Sequence, residues 1–224
     1  KVTFIGPSAA SMDLCGDKQQ CKAAMLKAKV PTVPGSPDLV KDADEAEKIA
    51  NEIGYPVMLK SVYGGGGRGI RIVNTDQELQ GAYETVTGES IAAVGKSAIL
   101  VEKFLAQTRH IEYQLARDKH GNTVHIFERE CSIQRRNQKL IEQTPSPIVD
   151  QETRDRIGKL VVNAAEAVDY TNLGTAEFLR ADNGEFYFLE INARLQVEHP
   201  ITEFVSGLDL VKLQLDIANG EPIP

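Results

Sequence analysis

The chain has little of what marks secreted, membrane-spanning or nucleic-acid-binding proteins. Its three cysteines are odd in number and form no CxxC pair, so a disulfide framework or a zinc site is not expected. No apolar run approaches the roughly 20 residues that span a bilayer, and no signal peptide is visible. The net charge of −7 argues against broad nucleic-acid binding, which needs a basic face. We therefore expect a protein of a reducing compartment, the cytoplasm or the mitochondria of a eukaryote, with no membrane or nucleic-acid partner.

Several common catalytic motifs are also missing. No Ser/His/Asp or Cys/His nucleophile arrangement is recognisable, and the four histidines show no metal-ligand spacing. The segment SVYGGGGRGIRIV contains a literal G-x-G-x-x-G at residues 64–69. The β-branched IRIV follows it, however, where a dinucleotide fingerprint would open a helix. No Gly-Lys-Ser/Thr follows either, which excludes a Walker A loop.

What the chain does contain is a globular pattern in which strands and helices alternate, with 42% hydrophobic and 25% charged residues. Several neighbouring strands are joined by hairpins, which favours an α+β fold with antiparallel sheets and packed helices over a purely parallel sheet. The turn-rich VPTVPGSP and the segment 104–108 are the predicted boundaries, which divide the chain into 1–31, 32–104 and 105–224. VTFIGP predicts a strand at residues 2–5, and SIQRRNQKLIEQTPSP predicts an irregular segment. Both ends look cut from something longer.

The glycine loop lies between two short predicted strands, PVMLK and IRIV. Strand, glycine loop and strand form a layout in which backbone N–H groups can close over phosphates as a lid. Lys60, at the end of the entering strand, is placed to reach such phosphates as a mobile point charge. The alternative is a flexible linker, but linkers are rarely bracketed by two strands this close.

The most informative stretch is TAEFLRADNGEFYFLEINARLQVEHP, residues 175–200. It reads as two strands joined at Asn183-Gly184, a dipeptide that tolerates the positive φ angles of a tight hairpin turn. Centring the hairpin on that dipeptide places Glu177 directly opposite Glu190, with both side chains on one face. Like charges in such a pair repel, so the pair is unusual unless a cation relieves it.

The same alternation sorts the residues that follow. It puts Asn192 and Arg194 on the face of the acid pair and turns Leu189 and Ile191 into the core. Two carboxylates and an amide oxygen converging on one spot suit Mg²⁺, a hard cation that prefers oxygen ligands. The alternative is a solvated hairpin face with scattered charges.

At this point a resemblance to biotin carboxylases is apparent. GDK, KSVYGGGGRGI, VEKFL, RHIEYQ, ERECSIQRR, GTAEF and EINARLQVEHPITE occur in the order found in that family, over essentially the whole chain. RLQVEHPITE is highly specific, whereas the acid pair and the glycine loop alone would indicate only the ATP-grasp superfamily. The resemblance implies an ATP-grasp fold in a subunit or domain of an acetyl-CoA, propionyl-CoA, methylcrotonyl-CoA or pyruvate carboxylase. The family's N-terminal nucleotide-fold region, its C-terminal domain and a biotinyl Met-Lys-Met motif are not in this sequence.

The resemblance also implies individual roles. The residues implied to contact ATP, its metal ion or bicarbonate are Lys18, Lys60, Gly66, Gly67, Glu102, Lys103, Phe104, Leu105, His110, Gln134, Asn137, Glu177, Glu190 and Val197. Those implied to bind Mg²⁺ or Mn²⁺ are Glu177, Glu190 and Asn192, and those implied to bind bicarbonate are Lys139, Arg194 and Val197, with Glu198 as its general base. Family members commonly have histidine in place of Asn137, which can hydrogen-bond phosphate but cannot carry charge. Taken alone, Lys139 lies in a basic run typical of a charged surface.

The implied reaction is the ATP-dependent carboxylation of biotin through carboxyphosphate. Bicarbonate is a weak nucleophile, so it needs a positioned base and a cation to attack the γ-phosphate of ATP. The implied partners are bicarbonate, a biotin carboxyl carrier domain or protein, and a carboxyltransferase component, with a homo-oligomer expected for the full-length parent. Two alternatives stay open: a nucleotide-binding fragment without turnover, or another ATP-grasp ligase such as a carbamoyl-phosphate synthase domain.

Overall fold

A computed structural model describes residues 2–62, 69–135 and 138–224. The four-glycine run of the predicted lid, with Gly66 and Gly67, lies outside the described residues, as does Asn137. The helices of the described ranges are α1 Ala9–Gly16, α2 Lys18–Lys27, α3 Ala43–Ile53, α4 Asp76–Val94, α5 Gln151–Ala167, α6 His199–Ser206 and α7 Leu210–Asn219. The strands are β1 Val57–Ser61, β2 Ile70–Val73, β3 Ile99–Lys103, β4 Thr108–Arg117, β5 Thr123–Arg135, β6 Gln138–Gln143, β7 Asn172–Ala181 and β8 Phe186–Asn192.

Residues 33–106 form one compact unit. Its sheet has the strand order β2-β1-β3, and both strand pairs are antiparallel. The alternating residues Val57 and Leu59 of β1 are buried, and with Val101 of β3 they pack against Ala46 and Ala50 of α3. This period-two burial on the sheet and period-four burial on the helix give the unit a core of its own.

Residues 1–32 and 107–224 form the second unit, which carries the candidate site. Its five-stranded sheet has the order β6-β5-β4-β7-β8, with every neighbouring pair antiparallel. Helix α5 covers one face through the apolar residues Ile157, Val161 and Ala164. Helix α7 covers part of the other face through Leu213 and Ile217.

The central strand β4 explains how a polar site comes to be buried. Ile111, Tyr113 and Leu115 point toward α5 and belong to its apolar core. The alternating residues Glu112 and Gln114 point to the opposite face and are also fully buried. A strand that is buried on both faces usually reads as continuously apolar, so these two side chains need polar partners on that face.

The acidic hairpin forms, but its turn differs from the prediction. Gly184 has a φ of 86°, its N–H donates to the Ala181 carbonyl at 3.0 Å, and the Ala181 N–H donates to Glu185 at 2.8 Å. The loop therefore has three residues rather than two, with the glycine in the left-handed position. This offsets the register by one until a bulge at Leu189 restores it, so that Glu177 does lie opposite Glu190.

The same bulge makes one core assignment wrong. Leu189 is the extra residue of β8 and is 42% exposed on the site face, whereas Phe188 and Ile191 on either side of the bulge point into the core. Ile191 is 5% exposed, as predicted.

Two further local predictions are wrong. Residues 2–5 do not form a strand, and the small residues after them form α1. The polar segment predicted to be irregular contains the end of β5 and the strand β6. As an edge strand with exposed residues on both faces, β6 is held by backbone pairing and shows no apolar alternation. Across the described ranges, no helix is both long and apolar enough to cross a membrane.

Candidate active site

A row of charged residues crosses four strands of the second unit in register. Arg129 of β5 is paired with Glu112 of β4, Glu112 with Glu177 of β7, and Glu177 with Glu190 of β8. The three acids form what we call the carboxylate row. Their burial decreases along it, since Glu112 is 0% exposed, Glu177 is 5% exposed and Glu190 is partly exposed. Such a row of like charges requires cations nearby.

Lys139 supplies one of these cations. From the edge strand β6 its Nζ donates to Glu177 Oε1 at 2.8 Å and to Glu198 Oε1 at 2.7 Å, and it also donates to Glu112 Oε2. Burial alone would lower the pKa of Lys139, but the three carboxylates raise it above its usual value. Lys139 is therefore a fixed positive charge at the centre of an acidic cluster and not part of a charged surface.

His110 of β4 lies in the same cluster. Its Nε2 is 3.1 Å from Glu177 Oε2 and 3.5 Å from Glu112 Oε2. Burial alone would lower the pKa of His110, but these two carboxylates raise it to about 9. Burial would likewise raise the pKa of Glu112, but His110, Arg129 and Lys139 lower it to about 2. The cluster thus holds a protonated histidine among ionised carboxylates at neutral pH.

Arg129 is the most buried cation of the site. Its side chain has no exposed surface, and it donates to Glu112 Oε1 at 2.7 Å. Arg129 and Glu112 were not predicted from the sequence as site residues, and neither was Gln196. The available signal was the pair of polar residues among the apolar residues of the stretch 111–116 in β4, together with the register that sets Glu112 opposite Glu177.

The predicted metal ligands are brought together. Asn192 Nδ2 is 2.9 Å from Glu177 Oε1 and 3.5 Å from Glu190 Oε1, so two carboxylates and one amide meet on one face. This donor set fits Mg²⁺ or Mn²⁺, which prefer oxygen ligands, once the amide turns its oxygen inward. Ligand atoms of His110, Glu112 and Glu177 also lie within 4.8 Å of one another, but a protonated His110 has no free lone pair to offer a metal.

Three further predicted residues of this unit line one open cavity of about 760 Å³. Gln134, Arg194 and Val197 contribute to its wall together with the cluster. Arg194 is exposed and donates to Asn192 Oδ1 at 3.4 Å, and Val197 is 89% exposed. Gln134 is held by a bond from its Nε2 to the Cys131 carbonyl at 2.8 Å. The cavity therefore has an exposed cation, Arg194, beside the predicted metal ligands.

Cys131 also lies near this cavity, with its sulfur within 4.8 Å of ligand atoms of Glu112 and Glu198. Burial and the charge of Glu112 raise the pKa of its thiol above the usual value. A neutral thiol is a poor nucleophile, which agrees with the absence of a Cys/His motif.

The structure places the other predicted nucleotide residues elsewhere in the chain. Lys18 is the exposed first residue of α2. In the 33–106 unit, Lys60 of β1 forms an ion pair with Glu102 of β3. The backbone N–H groups of Lys103 and Phe104 donate to the carbonyls of Pro34 and Pro56, at 2.7 and 3.0 Å. Adenine would therefore have to use other backbone groups of the segment that includes Leu105.

Comparison with known proteins connects this geometry to a family. The model of the carbamoyl-phosphate synthase L chain, ATP binding domain, matches residues 17–224. A biotin carboxylase of Nostoc sp. is 49% identical over 220 residues, which are 98% of this chain and 49% of that protein. The solved biotin carboxylase–β,γ-ATP complex of Campylobacter jejuni is 45% identical with a TM-score of 0.88, and the match covers 100% of this chain and 50% of that one.

A second solved structure carries further ligands. It is the biotin carboxylase domain dimer of Hydrogenobacter thermophilus 2-oxoglutarate carboxylase with MgADP, ADP and bicarbonate, at 50% identity and a TM-score of 0.86. The match covers 99% of this chain and 49% of that one. The chain thus spans about half the length of the relatives it matches.

Proposed function

The chain belongs to the family of carbamoyl-phosphate synthase L chain ATP-binding domains, and we propose that it is the ATP-grasp part of a biotin carboxylase, which carboxylates carrier-linked biotin with ATP and bicarbonate. The predicted α+β architecture of the ATP-grasp type and the predicted resemblance to biotin carboxylases are confirmed by the matches to solved biotin carboxylases. The activity of the whole protein, its substrates and its residue roles are proposals.

One observation carries the proposal: Lys139 Nζ bridges Glu198 Oε1 at 2.7 Å and Glu177 Oε1 at 2.8 Å at the wall of the cavity. A cation and a carboxylate that contact each other can hold an oxyanion and accept its proton at the same time. Arg194, exposed at the same wall, supplies a planar fork for the second side of the anion. Bicarbonate is an anion with one proton to lose, and it fits this set.

Glu198 acts in this proposal as the base that takes the proton of bicarbonate. Its side chain is 4% exposed, so little water competes for that proton. Lys139 and Arg194 hold the anion while its oxygen attacks the γ-phosphate of ATP, which yields ADP and carboxyphosphate. Carboxyphosphate then breaks down to CO₂ and inorganic phosphate, and biotin N1 captures the CO₂ as its proton passes to that phosphate.

Glu177, Glu190 and Asn192 would hold Mg²⁺ or Mn²⁺, which supplies charge neutralisation for the transferred phosphoryl group when bound. Glu177 Oε1 already accepts from Lys139 and Asn192, and Oε2 lies beside His110. A metal ion that binds Glu177 would therefore displace donors already bonded to it, because its carboxylate is not without partners in the metal-free protein. The nucleotide contacts proposed for Lys18, Lys60, Gly66, Gly67, Glu102, Lys103, Phe104, Leu105, His110, Gln134, Asn137 and Val197 rest on the family resemblance.

The relatives also guide the proposed partners. They include a propionyl-CoA carboxylase alpha chain and the small subunit of 2-oxoglutarate carboxylase, which are parts of larger carboxylases. We propose a biotin carboxyl carrier and a carboxyltransferase as partners, a homo-oligomeric parent, and a cytoplasmic or organellar location.

The test is ATP cleavage by the full-length gene product, measured with and without bicarbonate and free biotin. The proposal predicts cleavage that requires bicarbonate and Mg²⁺ and is raised by biotin. Cleavage that requires bicarbonate but ignores biotin would favour another ligase of the family. Nucleotide binding without any bicarbonate-dependent cleavage would contradict catalysis by this site.

A further inference from the structure

Arg129 uses every donor of its guanidinium group within the protein interior. Its Nε donates to Glu112 Oε1 at 2.7 Å. Its other four bonds reach Gln114 Oε1 at 2.8 Å, Thr202 Oγ1 at 3.0 Å, Thr175 Oγ1 at 3.2 Å and Gln196 Oε1 at 2.9 Å. An arginine has five N–H groups, so all five are satisfied although the side chain is fully buried. Arg129 therefore cannot contact a substrate.

These bonds fix the orientation of groups that do line the cavity. Because arginine only donates, the Gln196 amide must turn its oxygen toward Arg129 and its nitrogen outward. That nitrogen donates to Glu177 Oε1 at 3.0 Å. In the same way Arg129 occupies Glu112 Oε1, and the other oxygen of Glu112 accepts from Lys139.

Arg129 also ties the segment that carries Glu198 to the sheet. Thr202 lies on α6, which begins at His199 immediately after Glu198. The bond from Arg129 to Thr202 thus links this helix to β5, and the bond to Gln196 links the preceding turn. A guanidinium that bonds on both sides of Glu198 limits how far that carboxylate can move from Lys139.

We propose, on the basis of the function proposed above, that Arg129 is a positioning residue for bicarbonate activation. It neutralises Glu112 and orients Gln196, so that Lys139 and Glu198 keep the mutual geometry the reaction needs. Its contribution acts through these neighbours, which distinguishes it from a buried ion pair that only supports the fold.

The chain offers a matched control for that distinction. Arg154 of α5 forms a two-pronged ion pair with Glu128 at 2.7 Å through both Nε and Nη2, and Glu128 is 0% exposed. Glu128 neighbours Arg129 on β5, but its side chain bonds to α5 and to Ser146. Arg154 and Glu128 thus form a similar arginine–glutamate pair on the other side of β5.

The experiment compares Arg129→Lys with Arg154→Lys in the full-length gene product. Lysine keeps the charge but has three donors, so at least two of the five acceptors of Arg129 lose their partner. For Arg129→Lys we expect kcat/KM for bicarbonate to fall about 10- to 100-fold. Metal-free ADP should bind to it within about twofold of the unmodified protein. For Arg154→Lys we expect a loss of Tm similar to that of Arg129→Lys, but kcat/KM for bicarbonate should stay within about twofold of the unmodified protein.

Thr202→Val keeps the inference testable if Arg129→Lys does not fold. It removes a single acceptor of Arg129 at nearly constant volume. We expect a selective fall in kcat/KM for bicarbonate, as for Arg129→Lys but smaller. The inference would be overturned if variants of matched Tm had the same kcat/KM for bicarbonate, whether changed at Arg129 or Thr202 or at Arg154. That result would leave the proposed function intact. An unmodified protein without bicarbonate-dependent ATP cleavage would overturn both.

Discussion

The pKa of His110 leads to a quantitative prediction for the metal-free protein. Its carboxylate neighbours raise that pKa from the ordinary 6.5 to about 9, even though burial opposes the charge. A folded-state pKa above the unfolded one means that the folded protein binds the proton more tightly. The stability that this supplies is fully present below pH 6.5 and is lost as the pH rises to about 9.

The size of the effect follows from the shift. One pKa unit corresponds to about 1.4 kcal/mol, so the shift of His110 sets an upper limit of about 3 kcal/mol. The side chain is 12% exposed, so solvent screening does not remove most of this. His110→Asn cannot carry the charge and should lose the corresponding pH dependence.

The assay is urea unfolding in the presence of a chelator at several pH values from 6 to 10. The difference in unfolding free energy between the unmodified protein and His110→Asn should shrink across this range by up to about 3 kcal/mol. An NMR titration of the His110 ring, assigned by the signal lost in the variant, reads the pKa directly. A ring that titrates at or below its ordinary value, or parallel stability curves, would refute the reasoning.

Two further paired predictions follow. A methyl group added at Gly158 of α5 would lie 2.2 Å from His125 Nε2. Gly158→Ala should therefore lower the free energy of unfolding, measured in urea, by about 1–3 kcal/mol. Gly88→Ala in α4 meets nothing within 4 Å and should stabilise by up to about 1 kcal/mol; equal effects of the two changes would contradict the packing argument. Glu177→Gln removes a carboxylate that accepts a bond from Lys139, so without metal it should lower the free energy of unfolding by about 1–3 kcal/mol. Glu190 is partly exposed, and Glu190→Gln should lower the free energy of unfolding by less than about 0.5 kcal/mol. Both acid variants should lose Mg²⁺-dependent nucleotide hydrolysis, and a metal-free Glu177→Gln as stable as the unmodified protein would show that the ion pair contributes nothing.

The acidic hairpin shows what a sequence can and cannot predict. The pairing of Glu177 with Glu190 was predicted correctly although the turn was not, because two one-residue offsets cancel at the acid pair. One offset comes from the three-residue turn and the other from the bulge at Leu189, and neither is visible in the turn dipeptide. The prediction for Leu189 failed because a bulge reverses the alternation locally.

The buried half of the site was hidden for a different reason. Lys139 lies on an edge strand without apolar alternation, so from the sequence it resembles a surface charge. Glu112 and Arg129 acquire their partners only through register across β4, β5 and β7, which requires knowing the strand order. Local sequence patterns determine which strands exist, but the neighbours of each strand depend on tertiary packing.

The central claim is that Glu198, held at 2.7 Å from Lys139 Nζ, is the base that activates bicarbonate. The most direct test is bicarbonate-dependent ATP cleavage by Glu198→Gln in the full-length gene product, with nucleotide affinity measured in parallel. The amide keeps the shape but cannot accept the proton, so kcat should fall about 10²- to 10⁴-fold while nucleotide affinity stays nearly unchanged. Full bicarbonate-dependent turnover in this variant would contradict the account.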